Sequence, residues 1–249
     1  MVVASYPLAL VLLTALALPM GGVLSTSAVV WGLLAGVGQA FGVWWFYAAL
    51  GAGPISVVSP LTAVLVAGVP VGVGLALGER PGLLAGIGVA LALIAVVLVS
   101  RGSTDEDVRP HRFTAKVAWL TVGSGLAFGM NVVVLNQVPI EAKLWPLVFG
   151  RLAASAIVLI AAALTANLVL VRGGPLRLAM LAGVLDTAAS IATLFAVHSA
   201  MLSLAGVLVA LYPAATVLLA IAVLREPVTR GQAIGMVLAL SSVAMIAAN

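Results

Sequence analysis

Long apolar runs, separated by short turns and never alternating with polar residues, set the architecture of this chain. Nine stretches are of a length to cross about 30 Å of hydrocarbon as helices. They fall near residues 4–18, 28–50, 55–77, 82–100, 117–138, 144–171, 178–200, 202–224 and 231–248. Most connections are brief and carry Gly, Pro or charge, as in "GAGP", "GERPG", "VPIEAK" and "RGGPLR". A transmembrane barrel would show segments of about ten residues alternating apolar and polar. Runs of Leu, Val, Ala and Ile without alternation predict an all-α integral membrane protein instead, each helix pairing its own backbone groups where no water is present. The first apolar run is followed by further spans, so it reads as a membrane helix and not a cleaved signal.

A single polar stretch of any length, residues 101–116 ("RGSTDEDVRPHRFTAK"), reads as a solvated linker. It divides the chain into a first repeat, 1–100, with four visible helices and a second, 117–249, with five. Shifting the sequence by 147 residues aligns Glu79 with Glu226, "GIGVALAL" (86–93) with "AIGMVLAL" (233–240) and "LLAGVGQ" (33–39) with "MLAGVLD" (180–186). Without gaps, residues 28–100 match 175–247 at 17 of 73 positions, where a composition this biased gives about 8 by chance. Five helices per repeat is an odd number, so the two repeats are expected to enter the membrane from opposite sides, the inverted arrangement of many secondary transporters. Met1 falls opposite Val148–Phe149. The counterpart of helix 117–138 is therefore expected ahead of Met1, behind a start read about 30 residues late, or absent from a shortened variant.

Composition agrees with the pattern. Hydrophobic residues make up 64% of the 249 and charged residues 7%, against about 25% charged in soluble domains. The net charge of +4 comes from 11 Lys and Arg against seven acids. The basic residues are spread through short loops with no cluster suited to nucleic acid. There is no Cys, which removes disulfides, thiolate nucleophiles and thiolate metal sites. No Gly-Lys-Ser or Gly-Lys-Thr loop is present, so no nucleotide motor is encoded. No cofactor and no metal site are expected. The lipid bilayer is the expected surrounding; the oligomeric state is not legible.

Two features carry a family resemblance. A Glu follows the fourth helix of each repeat ("LGERP" at 77–81, "LREPV" at 224–228), ahead of a Gly-rich last helix, and "LYPAATVLLAIAVLREP" (211–227) places a Pro thirteen residues before the second Glu. In these the chain resembles the EamA type of the drug/metabolite transporter superfamily. The equivalent first-repeat position is Val66, not Pro. The resemblance implies a ten-helix fold with a central cavity, moving metabolites, often amino acids, without ATP, with proton or ion coupling in some members.

Chemistry is sought among the few polar groups inside the spans, because each is costly there and faces protein or water. Asp186 is the acid well inside a span, with Ser190 and Thr193 following on its face. Its repeat partner is Gln39, shortly before Trp44, Trp45, Phe46 and Tyr47. Two polar groups at equivalent depth suggest opposite walls of one cavity. The competing reading is that Asp186 stays protonated or is bonded to a neighbouring helix and merely fixes packing. Asn131, on roughly the face of Ser124 and Phe128, is a cavity candidate or interhelical glue. Tyr212, before Pro213, is a gate or a packing aromatic beside a kink. Trp44 fits an interfacial belt as readily as a binding box. His198, near a helix end, is a weak candidate for proton relay. Glu79 and Glu226 precede helices whose dipoles favour an anion. Arg151 can snorkel to the interface, while the resemblance places it near a cavity mouth. Gly32/Gly36, Gly68/Gly72, Gly82/Gly86 and Gly125/Gly129 have the spacing that lets helix backbones touch.

Orientation draws conflicting expectations. One face receives Arg101, Arg109, Arg112, Lys116, Arg172, Arg177, Arg225 and Arg230, and the other Arg80, Lys143 and Arg151. The positive-inside rule puts the first face in the cytoplasm and the C-terminus outside, whereas the resemblance implies a cytoplasmic C-terminus. The function expected is secondary transport, most readily export, of small metabolites or drugs across a bacterial inner membrane, with a proton as candidate coupling ion. The alternatives are an inactive or structural remnant and, more remotely, a membrane-embedded enzyme. Against the enzyme stands the lack of clustered catalytic groups: one isolated Asp, no paired-Asp motif, no His-Glu-x-x-His.

Overall fold

The computed structural model of the protein describes residues 2–101, 114–164, 173–219, 222 and 229–248. Every regular element among them is helical: α1 (Val2–Met20), α2 (Thr26–Ala52), α3 (Ile55–Ala76), α4 (Leu83–Arg101), α5 (Ala115–Asn136), α6 (Trp145–Leu164), α7 (Gly174–Ser199), α8 (Leu202–Ala210), α9 (Tyr212–Leu219) and α10 (Arg230–Ala247), with a 3-10 turn at Ile140–Ala142. Four of these helices are long and apolar enough to cross a membrane over Thr26–Ala52, Val57–Ala76, Ala115–Asn136 and Leu176–Ser199. The chain is inside-out in the manner of lipid-solvated proteins. Large apolar side chains such as Leu83, Leu164 and Trp119 are among the most exposed, and much of the buried set is Ala and Val.

Each of the nine expected spans is helical where described, with one correction. The span expected over 202–224 is two helices, broken at Leu211. Pro213 has no N–H to bond the carbonyl four residues back, and three-residue bonds take over, Leu211 N to Leu208 O at 3.3 Å and Ala214 N to Leu211 O at 2.9 Å. Most of the expected linker, residues 102–113, lies outside the described residues, as do 165–172 at the end of the expected span 144–171, and Glu226.

The contacts divide the chain into two compact units, residues 1–41 with 134–199, and residues 42–133 with 200–249. In the first unit α1 packs along both α6 and α7. The α2–α6 crossing depends on glycine: a Cβ on Gly36 would overlap the Gly150 carbonyl, and one on Gly32 would lie 2.6 Å from the Pro146 carbonyl oxygen. The loop ends of this unit are tied by Val23 N donating to Glu141 O at 2.8 Å and Lys143 Nζ donating to Met20 O at 2.5 Å.

In the second unit α4 runs along α10 and α3 along α8, around a core that includes Val96, Val99, Val207 and Ile246. Gly206 receives the ring of Pro70, and Gly125 and Gly129 of α5 receive Leu65 and Val69 of α3. A capping box starts α10: Gln232 N donates to Thr229 Oγ1 at 3.3 Å and Thr229 N to Gln232 Oε1 at 3.0 Å.

The glycine expectation holds for two pairs and fails for a third. Gly32/Gly36 and Gly125/Gly129 sit at close approaches, whereas Gly68, Gly72 and Gly86 have open space where a Cβ would stand. Spacing alone does not say which side of a helix faces protein and which faces lipid.

Candidate functional site

The first unit places a charged cluster where α1, α6 and α7 meet. Arg151 lies six residues into α6 and Asp186 twelve residues into α7, at its centre. Close approach of these helices is set locally by small residues: a Cβ on Gly183 would stand 3.0 Å from the Ser5 carbonyl of α1, and Tyr6, Ala40 and Ala154 form a small buried cluster.

Arg151 Nη2 stands 2.5 Å from Asp186 Oδ2 and donates to Ser190 Oγ at 3.1 Å. Nη2 carries two N–H groups and is shared between the Asp186 carboxylate, which it meets as an ion pair, and the Ser190 hydroxyl. The guanidinium also lies over the ring of Tyr6, with Cζ 4.8 Å from its centroid, a favourable cation–π placement. The Arg151 side chain is 5% exposed and that of Asp186 35%. Arg151 therefore does not snorkel. In a low-dielectric interior an arginine with a carboxylate within reach gains more from pairing than from stretching toward a distant interface.

Besides Asp186 Oδ2, which meets Arg151 as an ion pair, two polar atoms in this cluster have no hydrogen-bond partner among the described residues. Arg151 Nη1 is buried without an acceptor, and so is the hydroxyl of Ser155, one turn further along α6 on the same face.

The remaining candidates divide between the units. Gln39 on α2 and Thr193 on α7 are half-buried in the first unit. Trp44, Asn131 and Tyr212 belong to the second, where Trp44 is 57% and Tyr212 40% exposed. Beside Asn131 on α5, Ser124 donates to the Gly42 carbonyl at 2.9 Å, and Phe128 packs on Gly42 and edge-on to Phe46. His198 Nε2 lies 3.1 Å from the Val138 carbonyl, an anchoring contact at the end of α7 in which the nitrogen donates. Glu79 precedes α4 in sequence but serves another helix: its carboxylate accepts from Leu202 N at 2.6 Å and Ser203 N at 2.9 Å, at the start of α8.

The EamA-like transporter family model matches residues 115–248, more than half of the chain. The chain belongs to the EamA-like transporter family. It is thus a multi-pass membrane protein of a family whose members are transporters and not enzymes. One solved structure, named only "Crystal structure of protein", is similar over 98% of this chain and 84% of its own, with a TM-score of 0.70 and 19% identity. At that identity the likeness speaks for the fold. No curated protein matches the chain.

Proposed function

We propose that the chain is a secondary transporter that exports small metabolites or drugs across the bacterial inner membrane, with proton coupling through Asp186. The observation that carries this reading is the Arg151–Asp186 pair inside membrane helices of a transporter-family chain. Opposite charges within a span are expensive and are characteristically kept for transport paths and proton relays. Protonating Asp186 removes the charge that holds Arg151, so one proton leaves a buried arginine without its ionic partner. Gln39, Thr193, Asn131, Tyr212 and Trp44 complete the set of proposed cavity residues.

The proposed architecture is a pair of inverted repeats. In its support, α2, α3 and α4 begin at 26, 55 and 83 while α7, α8 and α10 begin at 174, 202 and 230, a shift of 147 or 148 residues. The helices that pack together within the units include repeat mates, α1 with α6, α3 with α8 and α4 with α10. Elements beside a two-fold axis meet their own mates in this way.

The test is Asp186→Asn in inverted vesicles or proteoliposomes. Asn keeps the size and hydrogen-bonding reach and cannot take up a proton. Transport by the parent should respond to an imposed pH gradient, and the variant should insert normally yet lose that response. An Asn variant with the parent's gradient dependence would remove Asp186 from the coupling path.

A further inference from the structure

Arg151 is only half used by the groups around it. Nη2 serves Asp186 and Ser190, and the ring of Tyr6 underlies the guanidinium, but Nη1 is sealed from solvent with no acceptor. An unpaired donor on a buried cation is among the most costly defects a fold can hold, and few survive without a reason. Beside it on the same helix face, Ser155 is 4% exposed with an equally unpartnered hydroxyl. One charged and one neutral donor, both without an acceptor and one turn apart on one helix, can each serve an oxygen of a planar acid.

We propose that Arg151 Nη1 and the Ser155 hydroxyl form the subsite that holds a carboxylate of the transported substrate. The inference rests on the transporter reading above and adds the chemical class of what is carried. Charge selects the carboxylate over a phosphate. Arg151 is the one basic residue away from the helix ends in α1, α2, α6 and α7, and Asp186 already offsets it. A monoanion adds one uncompensated charge in this medium; a dianion adds two, with no second cation to meet it. Charge also favours the carboxylate over a neutral carbonyl, because a hydrogen bond between two ionised partners is about twice as strong as one between neutral groups.

The purified protein in detergent micelles, without any gradient, is titrated with benzoate and butyrate, with the isosteric neutral probes benzamide and butyramide, and with the dianion phenylphosphonate. Calorimetric affinity and the shift in melting temperature are read for each. The carboxylates should bind and raise the melting temperature, and the amides and phosphonate should not. Ser155→Ala should melt like the parent, having no hydrogen bond to lose, yet weaken carboxylate binding about fivefold, the worth of one hydrogen bond. Arg151→Lys keeps the charge, loses the fork and should weaken it more. Ser155→Cys serves in place of the alanine variant if that variant accumulates poorly.

Carboxylates and amides binding alike, no carboxylate binding, or an unchanged carboxylate affinity in Ser155→Ala would each overturn the subsite; the last would mean that a structural water occupies the two donors. Because binding is read apart from flux, carboxylate binding without transport in proteoliposomes would defeat the transporter reading and leave the subsite standing. Transport of other solutes without carboxylate binding would do the reverse.

Discussion

Replacing Glu79 with Gln should loosen the second unit by a measurable and calculable amount. The N-cap of α8 is Met201, which has no side chain able to cap, so the first amides of that helix depend on a residue more than a hundred positions away. Glu79 supplies both acceptors, at 2.6 and 2.9 Å from Leu202 N and Ser203 N. Its own position is fixed by the turn after α3, where Gly78 takes φ +93°, Glu79 N donates to Gly74 O at 3.0 Å, and the missing side chain of Gly74 leaves room for the carboxylate. A hydrogen bond to a charged group contributes about 1.5–3 kcal/mol. Gln keeps one acceptor, turns an NH2 toward the other amide and removes the charge that complements the helix dipole. Discounted for the partial exposure of Glu79, the loss comes to about 2 kcal/mol. At roughly 2–4 °C per kcal/mol for a chain of this size, the melting temperature should fall about 4–8 °C. The assay is thermal denaturation of detergent-solubilised protein followed by size-exclusion chromatography, with Arg80→Gln as control. Arg80 is exposed in the same loop, so its loss should shift the transition by no more than about 2 °C. A Glu79→Gln transition indistinguishable from that of Arg80→Gln would refute the capping account.

Gly36→Leu should prevent accumulation of folded protein, because its first side-chain atom would overlap the Gly150 carbonyl, which is backbone and cannot swing aside; Gly51→Ala, in open space on the same helix, should express like the parent on fluorescence-detected chromatography. Thr229→Ala removes the hydroxyl that accepts from Gln232 N and should cost about 1 kcal/mol of stability, read as a small drop in melting temperature with transport retained. His198→Phe keeps the ring and deletes the contact to the Val138 carbonyl; it should cost about 1 kcal/mol and leave the pH dependence of transport unchanged, a result that would fail if His198 relayed protons.

The helices were legible because their cause is local: an apolar run long enough for the hydrocarbon, ended by Gly, Pro or charge, has no other way to satisfy its backbone in lipid. The break at Leu211 was also within reach, since Pro213 was visible and its effect on the preceding turn is general. What sequence could not supply is direction around a helix. The four-residue glycine spacing is the same at 32/36, where α6 presses close, and at 68/72, where nothing does. Glu79 likewise points to α8 and not to the helix it precedes, a choice made by tertiary packing.

Arg151 and Asp186 form the instructive case, because their pairing follows from a rule that needs no structure. Ionisable groups inside a membrane pair with one another or with backbone carbonyls. Away from the helix ends, the helices of the first unit contain one cation and one anion, Arg151 and Asp186. Assigning Arg151 to the interface by snorkelling treats it in isolation, and a long side chain six residues from a helix start can reach the interface. Weighing the two charges together reverses that choice, since leaving either alone costs more than bringing both helices into register. The same reasoning explains why the pair is informative about function and not only about packing. A purely structural contact between two helices is made at lower cost by small apolar residues, as Gly36 and Gly150 show in the same unit. A charged pair that leaves one guanidinium nitrogen without a partner is a poor way to hold helices together, and a suitable way to hold a ligand between them.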